Sequence, residues 1–80
     1  MDKKISEKIG KYIEIKRKSL NLTYFDISVR TKNIYPSNVS RIEKHKHDIR
    51  ISTLYQICNA LDITLEKMFK DLELWILYNF

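Results

Sequence analysis

A single glycine and a single proline among eighty residues deny this chain most of the sharp reversals that a many-stranded sheet needs. Helices joined by tight turns are what remains. The apolar residues agree with that restriction. Between Lys3 and Leu20, Ile5, Ile9, Ile13 and Leu20 repeat at helical intervals, with Tyr12 beside them and Lys and Glu opposite. "NLT" breaks the pattern, because Asn21 tolerates the left-handed conformation that ends a helix and Thr23 is suited to cap the next. A second helix is expected over Tyr24–Thr31, burying Phe25 or Ile27 and Val29, followed by a turn at "KNIY" where Asn33 suits a positive φ.

Pro36 fits the first turn of a third helix, where its missing N–H is no loss. Val39 and Ile42 face inward there, which leaves Ser37, Asn38 and Arg41 outward. After the loop "KHKHDI", Ile51, Leu54, Cys58 and Leu61 mark a fourth helix that ends at Asp62. Thr64 caps a fifth, whose stripe is Leu65, Met68, Phe69, Leu72, Trp75 and Ile76. No linker or repeat interrupts the chain, so residues 1–80 are expected to form one all-α domain, with 70–80 as an apolar C-terminal extension.

Charge is unevenly placed. Residues 1–50 hold 13 Lys and Arg against 6 Asp and Glu, a net of +7, whereas residues 51–80 hold 2 against 4, a net of −2. One basic end facing a negative ligand and one near-neutral end available for packing would give this split. A lone cysteine excludes an intramolecular disulfide and fits a reducing, cytoplasmic setting. The sequence shows no signal-peptide pattern, and "LELWILYNF" is too short to cross a bilayer, so no membrane association is expected. His45 and His47 with Cys58 do not make a metal-ligand set, and no cofactor is implied. No catalytic triad, carboxylate pair or glycine-rich phosphate loop is present, so no enzyme is expected.

Two short helices joined by a tight turn, the second with a polar outer face, is the helix-turn-helix plan. The blocks "IGKYIEIKRKSLNLT", "NVSRIEKHK" and "ISTLYQICNALDITLEKMF" resemble the phage-repressor/Cro-like (XRE-type) helix-turn-helix family over roughly Ile9 to Phe69. The resemblance implies a five-helix, lambda-repressor-like fold with helices 2 and 3 as the helix-turn-helix. It further implies a transcriptional regulator, dimeric on a palindromic operator, similar to short repressors and to the controller proteins of restriction–modification systems. No small-molecule effector is implied, because the chain carries no sensor domain.

On this resemblance Ser37 and Arg41 match base-reading positions, with Asn38 beside them. Arg suits the guanine edge and Asn the adenine edge, although Asn38 at the third helical position could equally hold the helix start. Thr23, Tyr24, Tyr35, Lys44, Lys46 and His47 fall on the DNA-backbone side. For Tyr24 the alternative is packing against Phe25 and Val29. Arg17 and Glu43 match a family ion pair that would clamp the first helix to the third. Leu72, Trp75, Ile76, Tyr78 and Phe80 would build a dimer interface, the alternative being that the tail folds back as core.

The chain also departs from the family pattern. Tyr24 and Pro36 stand where glutamines usually begin the two helices, and Asn21, Asn33, His45 and Asp62 replace turn glycines. The stretch from Ser28 to Asn33 is one residue longer than the common spacing. An alternative function on the same fold is that of an antitoxin or other protein-interaction module.

Overall fold

The computed structural model describes the backbone of residues 3–44 and 49–79, and the side chains of residues 4–44 and 49–73. Five helices follow one another: α1 (Lys3–Ser19), α2 (Tyr24–Val29), α3 (Pro36–Glu43), α4 (Ile51–Ala60) and α5 (Leu65–Asn79). No strand occurs among the described residues. The first three helices pack on one another, α3 against both α1 and α2, and α5 rests on α4 and α1.

Three of the connections turn on a residue that tolerates a positive φ. Asn21, Asn33 and Asp62 have φ of 57°, 58° and 59°. Two of them close the same motif at a helix end. After α1, the N–H of Asn21 donates to the Lys18 carbonyl and that of Leu22 to the Arg17 carbonyl, both at 3.0 Å. After α4, Asp62 donates to Asn59 at 3.1 Å and Ile63 to Cys58 at 3.0 Å. This double bond pattern uses carbonyls that would otherwise have no partner, and it normally calls for glycine. The short polar side chains of Asn and Asp reach the same conformation at a modest cost. Leu22 and Ile63, the next residues, pack against the core and tie each turn to it.

The starts of α2 and α5 are capped as well. Thr23 and Asp26 form a reciprocal box at α2, with Asp26 N–H to Thr23 Oγ1 at 3.1 Å and Thr23 N–H to Asp26 Oδ2 at 2.8 Å. Thr64 Oγ1 accepts from the Lys67 N–H at 2.9 Å to begin α5. Helix α2 ends at Val29, two residues short of the Thr31 expected from the sequence. The Thr31 hydroxyl instead donates to the Ile27 carbonyl at 3.0 Å and closes the helix from outside.

The core collects Ile9, Tyr12, Ile13, Ile27, Val39, Ile42, Leu54, Ile57, Cys58, Leu61, Met68 and Leu72. Several expectations need correction. In α2 only Ile27 is buried, while Phe25 and Val29 are 65% and 67% exposed. Six residues make less than two turns, so a single inward position suffices there. Ile5, Leu20, Ile51 and Phe69 are also exposed, each near the end of a helix or at the edge of its stripe. Ile34 and Ile49 fill the core from the connections on either side of α3, and Ile57 fills it from α4. Leu72, expected at a dimer interface, is 5% exposed and belongs to its own subunit's core. Trp75, Ile76, Tyr78 and Phe80 have side chains outside the described residues, although α5 itself continues to Asn79.

Polar contacts join the α1–α3 unit to α4 and α5. The Tyr12 hydroxyl donates to Asp71 Oδ2 at 2.6 Å, which holds the Asp71 carboxyl below its ordinary range, with Lys67 contributing. Burial, together with that same contact, raises the Tyr12 phenol. Arg30 Nη1 donates to the Ala60 carbonyl at 2.9 Å, and the Lys32 N–H donates to Gln56 Oε1 at 2.7 Å. Cys58 is buried beside Met68, Sγ to Sδ at 3.7 Å, and burial pushes its thiol up to about 11. It is a core residue with little thiolate character.

Because the three turn residues occupy the left-handed region, their replacements are predictable. Asn21→Gly is expected to change stability by less than about 0.5 kcal/mol, since relief of strain offsets the greater freedom of the unfolded chain. Asn21→Val is expected to cost more than about 1 kcal/mol, because β-branching is poorly accommodated there. Urea unfolding midpoints would show the difference, and equal midpoints for the two variants would contradict it.

Candidate nucleic-acid interface

Helix α3 is amphipathic in a way that decides which side chains are available. Val39, Ile42 and Glu43 are buried, while Ser37 and Arg41, one helical turn apart, are exposed on the opposite face. Tyr35 precedes the helix as N-cap, exposed, and Lys44 follows it, also exposed. Pro36 occupies the first helical position, as its fixed φ and missing donor favour. These outward groups form a strip with hydroxyls at one end and cations at the other. Lys46 and His47, with His45, lie outside the described residues.

Asn38 is half-buried, and its Oδ1 accepts from the Tyr35 N–H at 2.8 Å. The helix-start alternative is therefore the geometry observed. That bond leaves the amide's donor atom uncommitted, and Asn38 also lines a cleft of about 200 Å³ with Asn33, Ile42, Arg50 and Thr53.

Beneath the strip lies a buried ion pair. Arg17 Nε donates to Glu43 Oε2 at 2.7 Å and Nη2 to Glu43 Oε1 at 3.0 Å, the two-pronged contact that a guanidinium makes with a carboxylate. The third donor, Nη1, reaches the Leu22 carbonyl at 2.8 Å. The Glu43 side chain is fully buried and that of Arg17 is 11% exposed. Hydrogen bonding to Glu43 raises the Arg17 guanidinium above its ordinary value against the opposing effect of burial. One cluster thus joins the end of α1, the turn after it and the end of α3.

Tyr24 is the residue whose placement departs most from the sequence reading. Its hydroxyl is not left to water but turns toward the Arg17–Glu43 pair. Its ring lies 4.4 Å from the Arg17 guanidinium carbon, and its hydroxyl donates to Glu43 Oε1 at 3.3 Å. The phenol is drawn inward because the cluster offers it both a cation for its face and an anion for its hydroxyl. Nothing in residue spacing marks this contact, since Tyr24 and Arg17 lie on different helices. Thr23 is exposed, but its oxygen already serves the α2 cap.

Among the described residues no group of three or more His, Cys, Asp or Glu could hold a metal ion. None of the described helices is long and apolar enough to cross a membrane.

Removing one partner of the buried pair leaves the other charge without compensation, which typically costs about 3–5 kcal/mol. Glu43→Ala is expected to destabilise by about 3 kcal/mol, and Arg17→Met combined with Glu43→Leu by much less than the two single changes together. A double-mutant cycle in urea checks this. Strictly additive losses would mean the two charges do not depend on each other.

Comparison with known proteins agrees with the geometry. No match to the chain was found among curated proteins or solved structures. Residues 13–71 match the Cro/C1-type HTH DNA-binding domain, a span that begins in α1, contains the whole helix-turn-helix and ends in α5. The ordered array of five helices, the exposed strip of α3 and this match lead to one conclusion: the chain belongs to the Cro/C1-type helix-turn-helix DNA-binding domain family.

Proposed function

We propose that this DNA-binding domain reads a palindromic operator as a homodimer, with α3 in the major groove, and regulates transcription as a repressor or a controller of its own promoter. The observation that carries this reading is the division of α3 into a buried face and an exposed face bearing Ser37 and Arg41. Arg41 would pair with the O6/N7 edge of guanine, Ser37 with a neighbouring base, and Asn38 with a base edge through its remaining donor. Thr23, Tyr35, Lys44, Lys46 and His47 would fix register on phosphates. Residues 1–50 supply the net charge of +7 that such contacts require.

With Leu72 taken up by the core, the dimer reading rests on the apolar residues Trp75, Ile76, Tyr78 and Phe80 that follow it in the sequence. A two-fold interface pairs such a patch with itself and would set two recognition helices about 34 Å apart, one turn of DNA. A second reading, as a protein-docking module of the antitoxin kind, is favoured by Phe25 and Val29, an exposed apolar pair on α2. Salt-dependent retention on random DNA separates the two, because a pure docking module shows none.

Selection of bound sites from random DNA tests the operator reading and gives half-site spacing together. On the selected site, Arg41→Ala is expected to weaken binding by about 1–3 kcal/mol and to relax preference at one position. Lys44→Ala should instead weaken all sequences alike and lower the salt slope by about one. An equal loss on selected and random DNA would reassign Arg41 to phosphate.

Sedimentation tests the dimer. The intact protein is expected to be dimeric at micromolar concentration and Trp75→Ala to be a folded monomer that binds DNA more weakly. A monomeric parent would remove this part of the proposal.

A further inference from the structure

We infer that Tyr24 is a positioning residue for DNA recognition: its ring, seated on the Arg17 guanidinium, steadies the Arg17–Glu43 pair and so fixes the orientation of α3. This rests on the reading of α3 as the recognition helix. It assigns to Tyr24 a task different from phosphate contact.

The geometry of Arg17 makes the case. All three of its nitrogens donate in the plane of the guanidinium: Nε and Nη2 to Glu43 at 2.7 and 3.0 Å, and Nη1 to the Leu22 carbonyl at 2.8 Å. Bonds lying in one plane define that plane's edges but resist its tilting only weakly. The Tyr24 ring adds a contact of another kind, with the guanidinium carbon over the ring at 4.4 Å from its centroid, and so opposes that tilt. The hydroxyl, at 3.3 Å from Glu43 Oε1, is a long contact beside the 2.7 Å bond from Arg17, so the ring is the stronger part of the interaction.

Tilt of the pair matters because Glu43 is the last residue of α3. An eight-residue helix is about 12 Å long, so a small rotation at Glu43 is carried along its whole length to Ser37 at the other end. Base reading depends on such angles, whereas phosphate attraction largely does not. Loss of the ring should therefore reduce discrimination between sequences more than it reduces attraction to DNA in general.

The test uses the full chain, a duplex carrying a site selected from random DNA, and an unrelated random-sequence duplex. Tyr24→Phe keeps the ring and removes the hydroxyl, and is expected to bind both duplexes within about twofold of the parent. Tyr24→Leu removes the ring and is expected to bind the selected duplex roughly five- to tenfold more weakly, with random-duplex binding nearly unchanged. Should Tyr24→Leu fail to fold, Tyr24→Met takes its place. In the DNA-free protein, the Arg17 Nε–H resonance should exchange slowly in the parent and in Tyr24→Phe, and quickly in the variant without the ring.

A matching loss on both duplexes in Tyr24→Phe would place the hydroxyl on phosphate and overturn the proposal. So would a ringless variant with parental discrimination and a slowly exchanging Arg17. A parent that prefers no duplex would overturn the operator reading itself, and the Arg17 resonance would still decide whether the ring holds the pair.

Discussion

The pair between Arg17 and Glu43 is the contact on which the arrangement of the first three helices depends. Two buried charges are costly to remove from water, and only good geometry compensates. Here the compensation is complete for Arg17: two of its nitrogens meet the carboxylate and the third meets the carbonyl of Leu22. Apolar packing alone would hold α1 against α3 over a range of rotations, since oily surfaces have little directional preference. A two-pronged ion pair selects one of them. The relative orientation of α1 and α3 is thereby set by direction, while the amount of stability comes mainly from the isoleucine-rich core around Ile13, Ile27 and Ile42.

The connection between that pair and the exposed strip explains why a chain of this size can present a defined surface. Ile42 and Glu43 hold α3 from beneath, Pro36 and the Asn38 bond to Tyr35 hold its beginning, and Ser37 and Arg41 are what is left to face solvent. The polar contacts from Arg30 to Ala60 and from Lys32 to Gln56 brace the turn before α3 against α4. A short helix, packed against both α1 and α2, is thus fixed at both ends and from behind.

Much of this was legible in the sequence, and the reasons are local. Helical spacing located all five elements because each long helix carries several inward residues in register. Asn21, Asn33 and Asp62 were legible as turns because few residue types accept a positive φ. The Arg17–Glu43 pair could be anticipated from the family resemblance, since its members lie 26 positions apart and no spacing rule joins them. What spacing could not resolve was the short helix α2, where Phe25, Ile27 and Val29 compete and only Ile27 is buried. Nor could it show that Ile34 and Ile49, in connections, complete the core, or that Leu72 is consumed by it. The inward turn of Tyr24 depends on a cation and an anion brought from two other helices, which is a property of the assembled fold.

The two helix-ending motifs that pass from Asn21 to Leu22 and from Asp62 to Ile63 have a consequence for how the molecule comes apart. Helix ends ordinarily fray, opening by themselves at little cost. In this chain the residue that closes each end also packs its side chain on the core, so the terminal amides cannot open without disturbing that core. At these two ends, fraying and loss of core packing are therefore coupled. The exposed strip of α3 rests on α1, so the amount of competent protein in a cell depends on that core staying closed.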